Sequence, residues 1–174
     1  MRMALLVFAV LVAIAIVIVV VGWSRPVSHR AARQATYAAS SAAIYAAIAA
    51  PEHFPAWRSR VKSVEVLTPN NGLSRYREIG SDGTILYVVE EALPERRLVT
   101  RIADKSLPFG GSWTYSLAQA GSGTTLRIAE DGEVYNVVFR VMSRFVFGHH
   151  ATIDVYLRDL AKRLGEHVAI TDAE

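Results

Sequence analysis

The chain has 174 residues, with 19 lysines and arginines, 16 aspartates and glutamates, and no cysteine. Without its first 25 residues it keeps the length of one ordinary domain, which is enough for a hydrophobic core. The near balance of charge argues against nucleic-acid binding, which needs a clustered basic face. The lack of cysteine excludes disulfides, thiolate metal ligands and a cysteine nucleophile.

The first predicted element is a membrane-spanning helix. Residues 3–22 read MALLVFAVLVAIAIVIVVVG and carry no charge. As a helix they would extend about 30 Å, the thickness of the hydrocarbon core of a bilayer. A cleaved signal peptide and a buried core helix are the alternatives, but signal sequences have shorter apolar runs that end in small residues. We therefore expect an uncleaved anchor within residues 1–25, with Trp23 at the membrane interface.

The charges beside this segment predict its orientation. Arg2 precedes it, whereas Arg25, Arg30 and Arg33 follow it. Because positively charged flanks stay in the cytoplasm, we expect a single-pass membrane protein whose soluble domain lies on the cytoplasmic face.

Short elements follow a linker at 26–29. Residues 29–37 are expected to be extended, Ser40 or Ser41 to cap a helix, and residues 51–57 to form a further helical turn. Turn signals then recur every 8–15 residues and separate runs rich in β-branched and aromatic residues. This spacing is typical of antiparallel strands. The predicted strands are 61–67, 73–79, 84–92, 98–104, 112–119 and 124–131.

Two of these strands alternate clearly between apolar and polar residues. Trp113, Tyr115 and Leu117 share one face of the first, and Leu126 and Ile128 share one face of the second. Such alternation indicates a sheet with one buried and one solvated face.

From residue 136 onward the apolar residues recur with a helical period. Gly148 is expected to bend or break this helix. Its second part should pair Asp154 with Arg158, and Asp159 with Arg163, on the exposed side. Residues 168–174 are expected to be a frayed tail. A long helix buries its apolar stripe by lying across a curved sheet, which readily leaves a cavity between the two layers.

Five segments stand out along this order of elements: AAIYAAIAAPEHFPAW at 42–57, EALPERRL at 91–98, FGGSW at 109–113, EDGEV at 130–134, and 139–164. Together with the order of elements, they resemble the SRPBCC superfamily, which includes START lipid-transfer domains and polyketide cyclase/dehydrase-like proteins. The resemblance covers about 30–166, nearly all of the predicted domain at 30–167. It implies an α+β helix-grip fold, in which a curved antiparallel sheet of about seven strands wraps on a long C-terminal helix.

The resemblance also implies a cavity for a lipid or another hydrophobic small molecule. Each candidate lining residue has ordinary core packing as an alternative, but as a set they fit an apolar pocket with a few polar groups. The loop at 104–111 is a candidate lid. The candidate ligand-binding residues are Trp57, Tyr76, Tyr87, Phe109, Trp113, Tyr115, Glu130, Phe139, Met142 and Tyr156.

Glu130 is the leading polar candidate, since it falls on the apolar side of its strand. A buried carboxylate needs a hydrogen bond, an ion-pair partner or a ligand. A structural ion pair with Arg75, Arg77 or Arg101 is one interpretation, and a ligand-orienting or acid–base role, with His150 as a second candidate, is the other.

No metal or cofactor is predicted. His149 and His150 lack a convincing third and fourth ligand, which a zinc site would need. The glycines at 121 and 123 belong to a hairpin rather than a phosphate-binding loop.

Three functional hypotheses follow. The first is a membrane-anchored binding protein for a hydrophobic small molecule or lipid, tethered through residues 3–22. The second is a cyclase- or dehydratase-type enzyme that acts on a hydrophobic substrate. The third is a ligand-free interaction module at the membrane, which an exposed apolar patch and a collapsed interior would favour.

Overall fold

The computed structural model describes residues 2–142 and 150–173. It begins with α1 (Arg2–Trp23), β1 (Ser28–Tyr37), α2 (Ser41–Ile48) and a 3₁₀ helix (Pro51–Ala56). Six consecutive strands follow, and then α3 (Val137–Met142), α4 (Ala151–Leu164) and β8 (Ile170–Asp172). The six strands are β2 (Val61–Asn70), β3 (Leu73–Gly80), β4 (Gly83–Leu93), β5 (Arg97–Ile102), β6 (Phe109–Ala120) and β7 (Gly123–Val134).

α1 is the long apolar helix that the sequence predicts. Its segment Leu5–Trp23 is long and apolar enough to cross a membrane, and 7% of it is buried against the rest of the chain. A membrane anchor and a signal sequence both have these properties.

The described strands form one antiparallel sheet in the order β2-β3-β4-β5-β6-β7-β1-β8. β2 to β7 are a meander, and β1 pairs with β7 over its whole length, from Ser28 opposite Glu133 to Tyr37 opposite Thr124. Register shifts in the β2–β3 and β4–β5 pairs mark bulges, which bend strands and increase their twist. The helix-grip fold class is confirmed, with eight strands.

Local sequence explains the ends of these elements. The Ser40 side chain accepts a hydrogen bond from the Ala43 nitrogen and caps α2, as predicted. Asn71 and Gly72 both have positive φ at the β2–β3 turn, the conformation that an Asn-Gly pair favours in a two-residue hairpin.

α4 packs on one face of the sheet and closes the main core. Ile153, Leu157 and Leu160 are fully buried in it. The Tyr37 hydroxyl in β1 donates to the Leu157 carbonyl at 2.9 Å, so the first strand and the last helix are joined by a buried hydrogen bond.

The structure corrects three sequence expectations. The tail is not frayed throughout, because Ile170–Asp172 pairs with β1. Asp159 is buried rather than exposed, because its side chain accepts hydrogen bonds from Ser59. Phe109 begins β6, so the candidate lid at 104–111 is partly strand. Gly148, where a bend is predicted, and the candidate residue His149 both lie outside the described residues.

Candidate functional site

Seven aromatic side chains meet where the 3₁₀ helix, the sheet and α4 come together. Two belong to the 3₁₀ helix or the residue after it, four to strands β3, β4 and β6, and one to α4. We call this set the aromatic cluster: Phe54, Trp57, Tyr76, Tyr87, Trp113, Tyr115 and Tyr156.

The rings of the cluster form one connected set. Tyr156 is its centre, with ring centroids 5.3 Å from Trp57, 5.8 Å from Trp113 and 5.6 Å from Tyr115. Tyr76 and Tyr87 are opposite each other on β3 and β4 and stack at 5.2 Å. These are favourable separations for aromatic pairs. Six of the ten predicted ligand-binding residues are therefore brought together.

A buried ion pair lies at the edge of the cluster. The Arg58 guanidinium contacts the Glu78 carboxylate, and the Arg58 carbon Cζ lies 4.9 Å above the ring centroids of both Phe54 and Tyr156. The Glu78 residue is 7% exposed. Removing one member of such a pair leaves the other charge buried, at a cost of about 3–5 kcal/mol.

The charge state of this pair follows from its surroundings. Burial acts to lower the pKa of Arg58, but Glu78 and the nearby phenols raise it above its ordinary value, so the guanidinium stays charged. Burial raises the pKa of Glu78, and the charge of Arg58 opposes the rise. The cluster therefore has a charged guanidinium at its edge, paired with the Glu78 carboxylate.

Two polar atoms of the cluster lack a partner. Among the described residues, neither Trp57 Nε1 nor the Tyr156 hydroxyl oxygen has a hydrogen-bond partner, although both atoms are buried. The Tyr156 and Tyr115 hydroxyls are close enough to affect each other's pKa, but no well-formed hydrogen bond joins them. A buried polar group without a partner costs about 1–3 kcal/mol.

The phenols of the cluster remain protonated at neutral pH. Burial raises the pKa of Tyr115 to about 12 and holds those of Tyr76 and Tyr156 well above their ordinary value. Their hydroxyl groups are thus available as hydrogen-bond donors.

The position of Trp57 and Arg58 is fixed through the next residue. Asp159 in α4 accepts hydrogen bonds from the nitrogen and the hydroxyl of Ser59, at 2.7 and 2.6 Å. This contact fastens the chain after the 3₁₀ helix to the helix that carries Tyr156.

The other predicted site residues either lie away from the aromatic cluster or have side chains outside the described part of the structure. Phe109 is opposite Val134 at the far end of β6, and His150 is an exposed residue at the start of α4. The side chains of Phe139 and Met142 lie outside the described part of the structure.

Glu130 does not have the predicted arginine partners. Arg77 pairs with Glu65 and Arg101 with Glu90, because those arginines point to the other, solvated face. Glu130 instead lies 3.5 Å from His29, between its carboxylate oxygen Oε1 and the imidazole Nε2. It is also opposite Trp113 on β6, so it shares the sheet face of the aromatic cluster.

Arg58, Glu78 and His29 are absent from the sequence-based site. Glu78 was detectable, since it alternates with Tyr76 and so shares its strand face. His29 was not, because its approach to Glu130 depends on the pairing of β1 with β7. The described residues contain no group of three or more histidines, aspartates and glutamates that could hold a metal ion.

Comparison with known proteins gives the family and the fold of the chain. The sequence family described as polyketide cyclase / dehydrase and lipid transport matches residues 28–165. A START superfamily protein from Mycobacterium smegmatis is 18% identical, with a TM-score of 0.64 over 79% of this chain and 97% of its own. The di-domain ARO/CYC StfQ from the steffimycin biosynthetic pathway is 16% identical, with a TM-score of 0.60 over 80% of this chain and 52% of its own.

A third similar structure, Ara h 8.0201, is 12% identical with a TM-score of 0.58 over 80% of this chain and 99% of its own. No curated protein sequence matches the chain. At these identities the solved structures establish the fold alone, which is the helix-grip fold. The family match covers most of the chain, and the protein belongs to the polyketide cyclase / dehydrase and lipid transport family.

Proposed function

We propose that the protein is a membrane-anchored binder of a lipid or another hydrophobic small molecule, held between the sheet and α4. The observation that carries the proposal is the pair of unpartnered buried atoms, Trp57 Nε1 and the Tyr156 hydroxyl oxygen. Proteins rarely keep such groups without a use. A ligand with an oxygen acceptor at one end would satisfy both donors while its apolar body contacts the aromatic rings.

Arg58 supports the same proposal. Its guanidinium is charged and in contact with the Tyr156 ring, so its field favours electron-rich oxygen at the neighbouring Tyr156 hydroxyl. We therefore propose a ligand whose polar end carries a carbonyl or a carboxylate. The apolar part is bound by the rings of Tyr76, Tyr87, Trp113 and Tyr115.

The test begins with the ligand itself. Full-length protein purified in mild detergent is extracted with organic solvent, and the extract is compared by mass spectrometry with that of an unrelated membrane protein. We expect an enriched apolar compound that carries an oxygen acceptor. Binding of this compound is then measured through the fluorescence of Trp57 and Trp113.

Matched variants decide whether the two donors bind it. Tyr156→Phe removes one hydroxyl and should weaken binding by about 0.5–1.5 kcal/mol, the usual value of one hydrogen bond. Tyr135→Phe removes the same atom outside the cluster, where the hydroxyl donates to Glu133, and should leave affinity unchanged. Equal affinities in the wild type, Tyr156→Phe and Trp57→Phe would contradict the proposal.

The anchor and its orientation form the membrane part of the proposal. They are supported by the length and apolarity of α1 and by the arginines that follow it in sequence. Because the chain has no cysteine, the variant Ser122→Cys carries one exposed thiol. The labelling of this thiol reports which side of the membrane the domain occupies. Labelling by an impermeant maleimide only after cell lysis would agree with the cytoplasmic face, and labelling of intact cells would contradict it.

The second candidate function is a cyclase or dehydratase. The observation that favours it is the proximity of His29 and Glu130, 3.5 Å apart, on the face that carries Trp113. An imidazole and a carboxylate at this separation can act as an acid–base pair. If a polyketone analogue is turned over, Glu130→Gln should abolish product formation while binding persists. Turnover that survives this change would exclude Glu130 as the base.

A further inference from the structure

Arg140 joins α1 to the domain through four backbone carbonyls. Its Nη1 donates to the carbonyls of Gly22 and Arg25 at 3.1 and 3.0 Å. Its Nε and Nη2 donate to those of Val134 and Tyr135 at 3.1 and 3.2 Å. We call these four bonds the Arg140 clamp. Since the last carbonyls of a helix lack partners within the helix, the clamp both caps α1 and holds the linker against the end of β7.

A close backbone contact reinforces the clamp. A Cβ atom on Gly22 would lie 2.4 Å from the Val137 carbonyl oxygen and 2.6 Å from its Cγ1 atom. Only glycine permits this approach, so the last turn of α1 and the first turn of α3 are packed directly together. The Val134 nitrogen also donates to the Val27 carbonyl at 2.8 Å, which extends the connection into the linker.

This packing determines where α3 would lie relative to a bilayer. As a helix of 22 residues, α1 is about 33 Å long, close to the thickness of the hydrocarbon core. Its last turn therefore lies near the interface, and α3, which touches that turn, lies at the same level. The sequence of α3 is VVFRVM, and its one charged side chain is Arg140, which is engaged in the clamp.

Exposed apolar side chains surround this junction. Trp23, Val27, Tyr135 and Val138 are 43–81% exposed. Two precede β1 and two follow β7, so both strands bring them to the same end of the sheet. Tyr and Trp side chains are favoured at membrane interfaces because one end is apolar and the other polar.

We propose that α3 is an interfacial helix that rests on the lipid surface, and that the Arg140 clamp fixes the domain in this pose. The proposal rests on the anchor in the proposed function. This pose places the end of the sheet that carries His29 and Glu130 beside the bilayer, because β1 begins and β7 ends at that end of the sheet. A lipid-derived ligand would then reach the aromatic cluster directly from the membrane.

The experiment uses the full chain in vesicles of phosphatidylcholine and phosphatidylglycerol. Val138→Cys and Ser122→Cys are each labelled with an environment-sensitive fluorophore. Ser122 lies in the β6–β7 turn, about 40 Å along the hairpin from its other end. Lipids that carry a nitroxide quencher near the headgroup should quench the label at 138 and not the label at 122.

Variants of the clamp separate its role from that of the anchor. Arg140→Gln should lose the quenching at 138 while the protein still floats with the vesicles. Arg163→Gln, which changes an exposed arginine in α4, should retain it. Arg140→Lys keeps the charge but cannot reach four carbonyls and should also lose it, which excludes simple attraction to anionic lipid.

The outcomes are distinguishable. Vesicle-bound wild-type protein with no quenching at 138 would overturn the interfacial position of α3 and leave the anchor intact. Retained quenching in folded Arg140→Gln would overturn the role of the clamp. Failure of the protein to float, or its extraction by alkaline carbonate, would overturn both the anchor and this inference. Folding of each variant is checked by near-ultraviolet circular dichroism, and the wild-type labels decide the position of α3 in any case.

Discussion

Asp159 accepts two hydrogen bonds from Ser59, one from the backbone nitrogen and one from the side-chain hydroxyl. Asp159 is 5% exposed, and Nζ of Lys162 lies 3.8 Å from its Oδ1 atom. The bonds join α4 to the segment that carries Trp57 and Arg58. The position of Trp57 in the aromatic cluster therefore depends on Asp159, although the hydrogen bonds of Asp159 go to Ser59 and not to any residue of the cluster.

We expect Asp159→Ala to destabilise the fold and to loosen the cluster. Two donors of Ser59 lose a charged acceptor, and each hydrogen bond to a charged group contributes about 1.5–3 kcal/mol. Urea unfolding of the full chain in mild detergent measures the free energy, and Trp fluorescence reports the cluster. Asp82→Asn, in an exposed pair with Arg60, should change stability by at most about 1 kcal/mol. Equal losses in the two variants would contradict the role given to Asp159.

The Arg58–Glu78 pair should show strong coupling. Arg58→Met and Glu78→Gln each leave one buried group without its partner, so each should cost about 3–5 kcal/mol. The double variant Arg58→Met/Glu78→Leu buries no charge and should be more stable than either single variant. A double-mutant cycle measures the coupling. Additive effects would show that the two side chains do not depend on each other.

Arg33 contacts two aspartates of different burial, which gives an internal comparison. Its Nε lies 2.8 Å from Asp154 of α4, which is 17% exposed, and its Nη1 contacts Asp172 of β8, which is 81% exposed. Because solvent screens the exposed pair, Asp172→Asn should cost at most about 1 kcal/mol, and Asp154→Asn should cost more. Thermal unfolding measures both. A larger effect of Asp172→Asn would mean that β8 contributes more to the fold than its three residues suggest.

Stability should fall at alkaline pH because of the tyrosines. Burial raises the pKa of Tyr115 to about 12 and shifts those of Tyr76, Tyr87 and Tyr156 upward, whereas unfolded tyrosines titrate near about 10. The folded state thus holds these protons more tightly. Ionisation of these tyrosines leaves the free energy of unfolding unchanged below a pH of about 10. It lowers the free energy of unfolding as the pH rises from about 10 to about 12.

A phenolate absorbance titration with circular dichroism tests this expectation. The cluster tyrosines should ionise only as the near-ultraviolet signal is lost. Tyr115→Phe should remove one of the groups that ionise late. Ionisation of all seven tyrosines with the fold intact would contradict it.

Much of the fold could be predicted because its signals are local. The turn residues locate β2 to β7, and the alternation of Trp113 and Tyr115 predicts their shared face, which their common contact with Tyr156 bears out. The helix-grip order followed from the resemblance. The predicted strand 98–104 runs past the end of β5 at Ile102, and the other predicted strands are shorter than those of the structure. Strand ends continue through pairing with a neighbour rather than through their own residue pattern.

The polar part of the site could not be predicted, because it depends on which strands and helices meet. Helical spacing predicts that Asp159 pairs with Arg163 on the exposed side of α4. The structure instead has Ser59, which is distant in sequence, as the hydrogen-bond donor to Asp159. Glu130 was expected to pair with an arginine, and the β1–β7 register brings His29 instead. Both differences come from long-range pairing, which a local pattern does not encode.

The position of β1 inside the sheet has a consequence for biosynthesis. β1 is the first strand to leave the ribosome, but its partners are β7 and β8, at residues 123–134 and 170–172. It must therefore stay unpaired while the 85 intervening residues, 38–122, are made, with its backbone donors and acceptors free to pair wrongly. The meander β2 to β7 can form first, because each of its strands pairs with the next one synthesised. β1 can then close onto the free edge of β7, and β8 adds to β1 only after residue 172 has been made. The first strand therefore exposes its backbone to wrong pairing for most of the synthesis of the chain.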